Sequence, residues 1–183
     1  VSGSTLEENT AVNGGGAALY GANSAIVVDD VTFAANTAES GGGLMLRYSG
    51  DVSLSNSRLE GNTADYGGGA LLWEAGVAAL RELTLTGNVA IDGGGLLLYD
   101  SSPTIQDATF TDNIAAADGG GMSLDSASSA IVANVAFTDN AAAEGGGILL
   151  RSFGQLSLFS ATLTGNTASV SGGGLYILSL IHI

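Results

Sequence analysis

The chain has 183 residues, 45% of them apolar, with 29 Gly, one Pro, one His, four Arg, no Lys and no Cys, and a formal net charge of −14. Four cations cannot make the basic stripe that nucleic acid or an anionic membrane surface requires, and without Cys there are no disulfides and no thiolate zinc sites. With 12% charged residues and abundant aliphatics the chain is expected to fold as one domain, and it has no run of about 18 apolar residues to span a bilayer.

The glycines carry the first structural signal. Seven triplets begin at Gly14, Gly41, Gly67, Gly93, Gly119, Gly145 and Gly172, in steps of 27, 26, 26, 26, 26 and 27 residues. A fixed period in this range marks a solenoid or related array. Asn9, Asn36, Asn62, Asn88, Asn113, Asn140 and Asn166 keep the same beat, five or six residues before a triplet. Two residues after each Asn is an Ala, from Ala11 to Ala168, and three before it is a Leu or Phe, from Leu6 to Leu163.

One unit, taken in chain order, predicts its elements. After the triplet at Gly93 comes an apolar strand, Leu96-Leu97-Leu98-Tyr99, and then a polar turn, Asp100-Ser101-Ser102-Pro103. A second strand is expected at 104–108 and a third at 109–113, all short and alternating with period 2. Three short strands in about 26 residues, repeated, predict an all-β fold: a right-handed single-stranded parallel β-helix of six to seven coils over residues 1–177. The Leu/Phe column is expected to fill the bore. The Asn column is expected to form a buried amide ladder at a corner, and the glycines to allow positive φ and close approach between coils. A phosphate-cradling glycine loop would need a helix after it and usually a Lys, and neither is found.

The repeats resemble the tandem GGA[ILV] and FxxN motifs of the polymorphic outer-membrane proteins, chlamydial autotransporters. Gly68-Gly69-Ala70-Leu71 matches the first motif, and Gly41-Gly42-Gly43-Leu44 and three later copies match with Gly for Ala. Phe33-Asn36, Phe110-Asn113 and Phe137-Asn140 match the second, with Leu for Phe elsewhere. The resemblance implies an autotransporter-passenger type of β-helix, secretion, surface display and adhesion, and supplies no catalytic residues. The chain is expected to be an internal fragment, uncapped at both ends and contacting missing coils of a longer parent. Residues 178–183 resemble a translated sequencing adapter and are expected to be a non-native scar, which would remove the single His from any function.

Three outer surfaces invite a functional reading. On the strand after the triplet, the sixth residue from the first Gly points outward, giving Tyr20, Arg47, Trp73, Tyr99, Asp125 and Arg151. Arg47 is placed to stack between Tyr20 and Trp73, and Asp125 to pair with Arg151. Tyr20, Arg47, Trp73, Tyr99 and Arg151 are therefore the candidate binding residues, for a host or environmental glycan or protein. Beside them the fourth-residue column, including Met45, Leu71 and Leu97, makes this strand apolar on both faces. A Thr ladder on the third strand (Thr84 and Thr86, Thr109 and Thr111, Thr138, Thr162 and Thr164) suggests ice binding as a remote alternative. Asp92, Asp118 and Glu144 precede successive triplets, but the column breaks elsewhere and no metal site, cofactor or catalytic residue is assigned. Asp29-Asp30 is the only adjacent Asp pair, and neighbours on a strand face opposite ways. A structural and adhesive segment of an extracellular or surface-displayed bacterial protein is the expectation. The alternative is a non-catalytic part of a polysaccharide lyase or hydrolase.

Overall fold

The computed structural model describes residues 1–21, 25–47 and 51–178. Every regular element among them is a β-strand, and all strand pairs are parallel. Each coil lies directly on the next. The strands after the triplets form a seven-stranded ladder from Ala17–Tyr20 to Leu175–Leu178, in uninterrupted coil order. The second and third strands of each coil form two more ladders, which the long strand Ile26–Ala34 joins into one twelve-stranded sheet. No helix of the described residues is long and apolar enough to cross a membrane.

A further short ladder joins the three expected. It follows the Asn corner and comprises Val89–Asp92, Ile114–Asp118, Ala141–Glu144 and Thr167–Ser171. In earlier coils it shrinks to single bridges such as Thr37↔Thr63 and Tyr66↔Asp92. It also absorbs the unequal spacing between Asn and triplet. Ala90 faces Ala115 and Asp92 faces Asp118, so the later coil carries one extra residue as a bulge. The triplets stay in register because the bulge takes up the slip.

The bore is filled as the periodicity requires. Phe33, Leu59, Leu85, Phe110 and Phe137 are almost fully buried, and the Phe110 and Phe137 rings stack at 4.6 Å. Leu44, Leu46, Leu96, Leu98, Ile148 and Leu150 close it from the post-glycine side. The Asn column lies at the inner edge of a corner. Asn62 donates from Nδ2 to Asn88 Oδ1 at 2.9 Å, Asn88 does the same to Asn113, and the chain of bonds runs from Asn9 to Asn166.

Each glycine of a triplet has its own cause. Gly93 has φ +66°, and a Cβ there would fall 2.7 Å from the Cβ of Leu97. A Cβ on Gly94 would lie 2.4 Å from the Gly120 carbonyl oxygen of the next coil. The register corrects one motif match. Ala70 pairs with Leu44 and Leu96, so Gly67-Gly68-Gly69-Ala70 is the counterpart of Gly41-Gly42-Gly43-Leu44. The Gly68-Gly69-Ala70-Leu71 match therefore sits one residue out of step with the other copies.

Other corners also turn through positive φ, mostly without glycine. Asp30, Asn56, Glu82, Asp107, Asn134 and Ser160 form one such column, between the second and third strands. Asp30 thus breaks the alternation expected at Asp29-Asp30: the pair sits at a corner, and Asp29 accepts hydrogen bonds from Ser55 Oγ at 2.7 Å and Asn56 Nδ2 at 2.8 Å. Leu178 ends the last strand of the post-glycine ladder, opposite Arg151. The remainder of the segment read as a scar, 179–183, lies outside the described residues.

Candidate binding groove

The outward apolar column of the post-glycine ladder is not a bare face. Met45, Leu71 and Leu97 are at most 6% exposed and form a small cluster of their own, with Ala18 and Trp73 packed on it. The left-handed turn at the first glycine of each triplet is responsible. It swings the preceding residue over the outer side of the strand that follows. Ser40, Tyr66, Asp92 and Asp118 thereby become one wall of a groove parallel to the rod axis. The floor is Leu71, Leu97 and Ser123, and the opposite wall is Trp73, Tyr99, Asp125 and Arg151.

The groove has two halves that share Tyr66, Leu97 and Tyr99. The larger, of about 330 Å³, is apolar and holds Trp73 and Leu71. The smaller, of about 110 Å³, is lined by Asp92, Asp118, Asp125 and Arg151. The aromatic column and the acidic column, read from sequence as separate surfaces, are therefore two sides of one feature.

Stacking along the Trp73 wall is continuous. The Arg47 guanidinium lies 4.3 Å from the Trp73 ring centroid, and Tyr99 lies 5.3 Å from it on the next coil, tilted by 52°. Tyr20 stands at the end of this column, more than half exposed, with its hydroxyl 3.8 Å from Met45 Sδ. Such contacts between a cation and aromatic rings are worth about 0.5–1 kcal/mol where exposed.

Arg151 does not pair as expected. Its guanidinium reaches across the groove to Asp118 at 2.6 Å and Glu144 at 3.2 Å. Asp125 instead accepts from the Ser126 N–H at 2.6 Å and from Ser152 Oγ at 3.4 Å. The longer reach is favoured because Asp118 and Glu144 stack on adjacent strands as like charges, and one cation between them relieves both. Burial, offset in part by Arg151, holds the Asp118 carboxyl above the ordinary carboxylate range, and neighbouring Asp92, Glu144 and Asp125 push it the same way. Asp92 is raised as well, again mainly by burial. Among the described residues no group of three or more His, Asp or Glu is arranged to hold a metal ion.

Asn9, Asn36, Asn62, Asn88, Asn113, Asn140 and Asn166 stand apart from the groove and serve the ladder alone. The Thr column of the third strand is paired coil to coil, Thr86 with Thr111 and Thr111 with Thr138, but Ala136 and Arg58 interrupt its other half. Tyr66 is the largest of the groove residues that the sequence did not reveal, with Ser40 and Ser123. Its signal was positional: it occupies the Asp92 place one coil earlier.

The family model described as right handed beta helix region matches residues 1–179. No curated protein and no solved structure matches the chain.

Proposed function

The chain belongs to the right-handed β-helix family, and from that premise we propose that it is a structural and adhesive segment of a secreted or surface-displayed bacterial protein. It is a stiff rod whose groove holds a glycan or protein partner, and it is not itself a catalyst. The observation that carries this reading is the groove: aromatic rings beside a buried apolar floor on a rod of net charge −14. Surfaces that combine Trp, Tyr and Arg around a desolvated floor are those where binding energy concentrates. The likeness of the repeats to polymorphic outer-membrane proteins supports the surface location.

The test is binding to a printed glycan panel and to a panel of immobilised extracellular proteins. Trp73→Ser and Tyr99→Ser are expected to lose at least tenfold in affinity for whichever panel member the native chain binds, with unchanged circular dichroism. Equal binding by both variants refutes the groove as the partner surface. Asp92, Asp118 and Asp125 around one cavity favour a second reading, glycoside hydrolysis, because paired carboxylates are its requirement. Arg151 ties Asp118 to Glu144, which leaves neither carboxylate free as nucleophile or acid. Turnover of any polysaccharide that Asp118→Asn abolishes would establish the second reading over the first.

A further inference from the structure

The groove contains more acid than base. Asp92, Asp118 and Asp125 face a single guanidinium, which Asp118 and Glu144 occupy. Among the described residues Asp92 enters no ion pair; it lies in the groove wall, where Arg151 attracts it from a distance and Asp125 repels it. A partly buried carboxylate with no cation in contact is costly, and a second cation brought by a ligand relieves it.

The other half of the groove narrows the ligand further. Trp73 is flanked along the axis by Arg47 on one side and Tyr99 on the other, so its faces are not free for a pyranose to lie flat on. What remains open is the slot between Tyr66 and the Trp73–Tyr99 edges, above Leu71 and Leu97. Such a slot fits a branched or linear aliphatic side chain.

Resting on the reading of the groove as a partner surface, we propose that it seats an extended, lysine-bearing segment of a partner protein. An apolar side chain enters the slot above Leu71 and Leu97, and the lysine ammonium lies between Asp92 and Asp125. The spacing agrees. The slot lies between the coils of Leu71 and Leu97, and the Asp92–Asp125 gap is one coil further on, about 4.8 Å. Residues i and i+2 of an extended chain share a face and stand about 6.6 Å apart, and the flexible lysine stem covers the difference. The recognised pattern is thus apolar-x-Lys.

The chain reports on its own groove, because Trp73 is its single Trp. The probe is the peptide acetyl-Gly-Leu-Ser-Lys-Gly-amide, titrated while Trp73 emission is followed. A saturable change is expected, at least tenfold weaker for the same peptide with its lysine acetylated, and at least tenfold weaker for Asp92→Asn. Asp112→Asn, an exposed corner carboxylate, removes the same charge away from the groove and is expected to leave the affinity unchanged. Equal binding of the acetylated peptide overturns the inference, as does equal weakening by Asp112→Asn, which would mean attraction to bulk charge alone. No emission change with the lysine peptide overturns it too. If a hexamer of N-acetylglucosamine shifts Trp73 emission where the peptide does not, the inference fails while the groove remains the partner surface.

Discussion

Asn88 is fully buried and uses every hydrogen-bonding position of its amide. Its Oδ1 accepts from the Asn62 backbone N–H and from Asn62 Nδ2, at 3.0 and 2.9 Å. Its Nδ2 donates to the Leu59 carbonyl and to Asn113 Oδ1, both at 2.9 Å. Aspartate can accept the first pair but has nothing to donate to the second, and leucine can do neither. A buried polar group left without a partner costs about 1–3 kcal/mol, and leucine strands several at once. Asn88→Leu is therefore expected to lose at least about 3 kcal/mol in urea unfolding. Asp92 behaves in the opposite sense. Its carboxyl is raised by burial, so the folded chain holds that proton more tightly than the unfolded chain does. The native state binds more protons, and stability falls as pH rises from the unfolded value near 3.8 through the raised native one. Asp92→Asn is expected to stabilise the chain at neutral pH, and the gain should vanish below pH 3.8, where the native aspartate is already protonated. Denaturant melts of both proteins at neutral and acid pH check this, and a gain that persists in acid contradicts the burial account.

The strands were legible because their signal repeats. Leu85, Phe110 and Phe137 recur at one phase of the coil, and a period-2 strand leaves them no other face to occupy. The corners were legible only where glycine marks them. Glu8, Ala35, Gly61, Gly87, Asp112, Asp139 and Gly165 all turn through positive φ just before the Asn ladder, yet only three of the seven are Gly. Composition hides this column because it is exposed and several small or polar residues tolerate the turn at modest cost. Two glycines of one coil separate the two uses. Around Gly87, at φ +63°, a Cβ meets nothing within 4 Å. Around Gly94 it meets the Gly120 oxygen at 2.4 Å and the Ile114 oxygen at 2.7 Å, backbone that cannot yield unless the coils part. Gly87→Asn is expected to change stability by no more than about 0.5 kcal/mol. Gly94→Ala is expected to cost more than about 3 kcal/mol or to prevent folding, as read by circular dichroism during denaturant unfolding.

At the scale of the rod, the groove could not be read in advance because it joins residues from two places in the coil. Asp92 and Tyr99 stand on either side of Leu97 only because the turn at Gly93 folds one over the other, and a turn's direction is not written in period or hydropathy. The charge, by contrast, was visible as a number and acquires a location. Glu8, Asp30, Glu74, Glu82, Asp100, Asp107, Asp112 and Asp139 sit at positive-φ corners, eight of the 18 acidic residues. Coils stack in register, so corner acids in successive coils become vertical neighbours. Asp112 and Asp139 hold equivalent places on adjacent coils, about 4.8 Å apart along the axis. Their repulsion in water is of order 1 kcal/mol, and both sites accept asparagine at the same backbone angles. Asp112→Asn with Asp139→Asn changes the net charge from −14 to −12 and should stabilise the rod by about 0.5–1 kcal/mol at 0.01 M salt, where the screening length is about 30 Å. At 0.15 M that length falls to about 8 Å, so the native rod should gain stability with added salt and the variant's advantage should shrink. A variant advantage independent of salt would mean that asparagine simply suits the turn better, and that the column of acids carries no electrostatic cost.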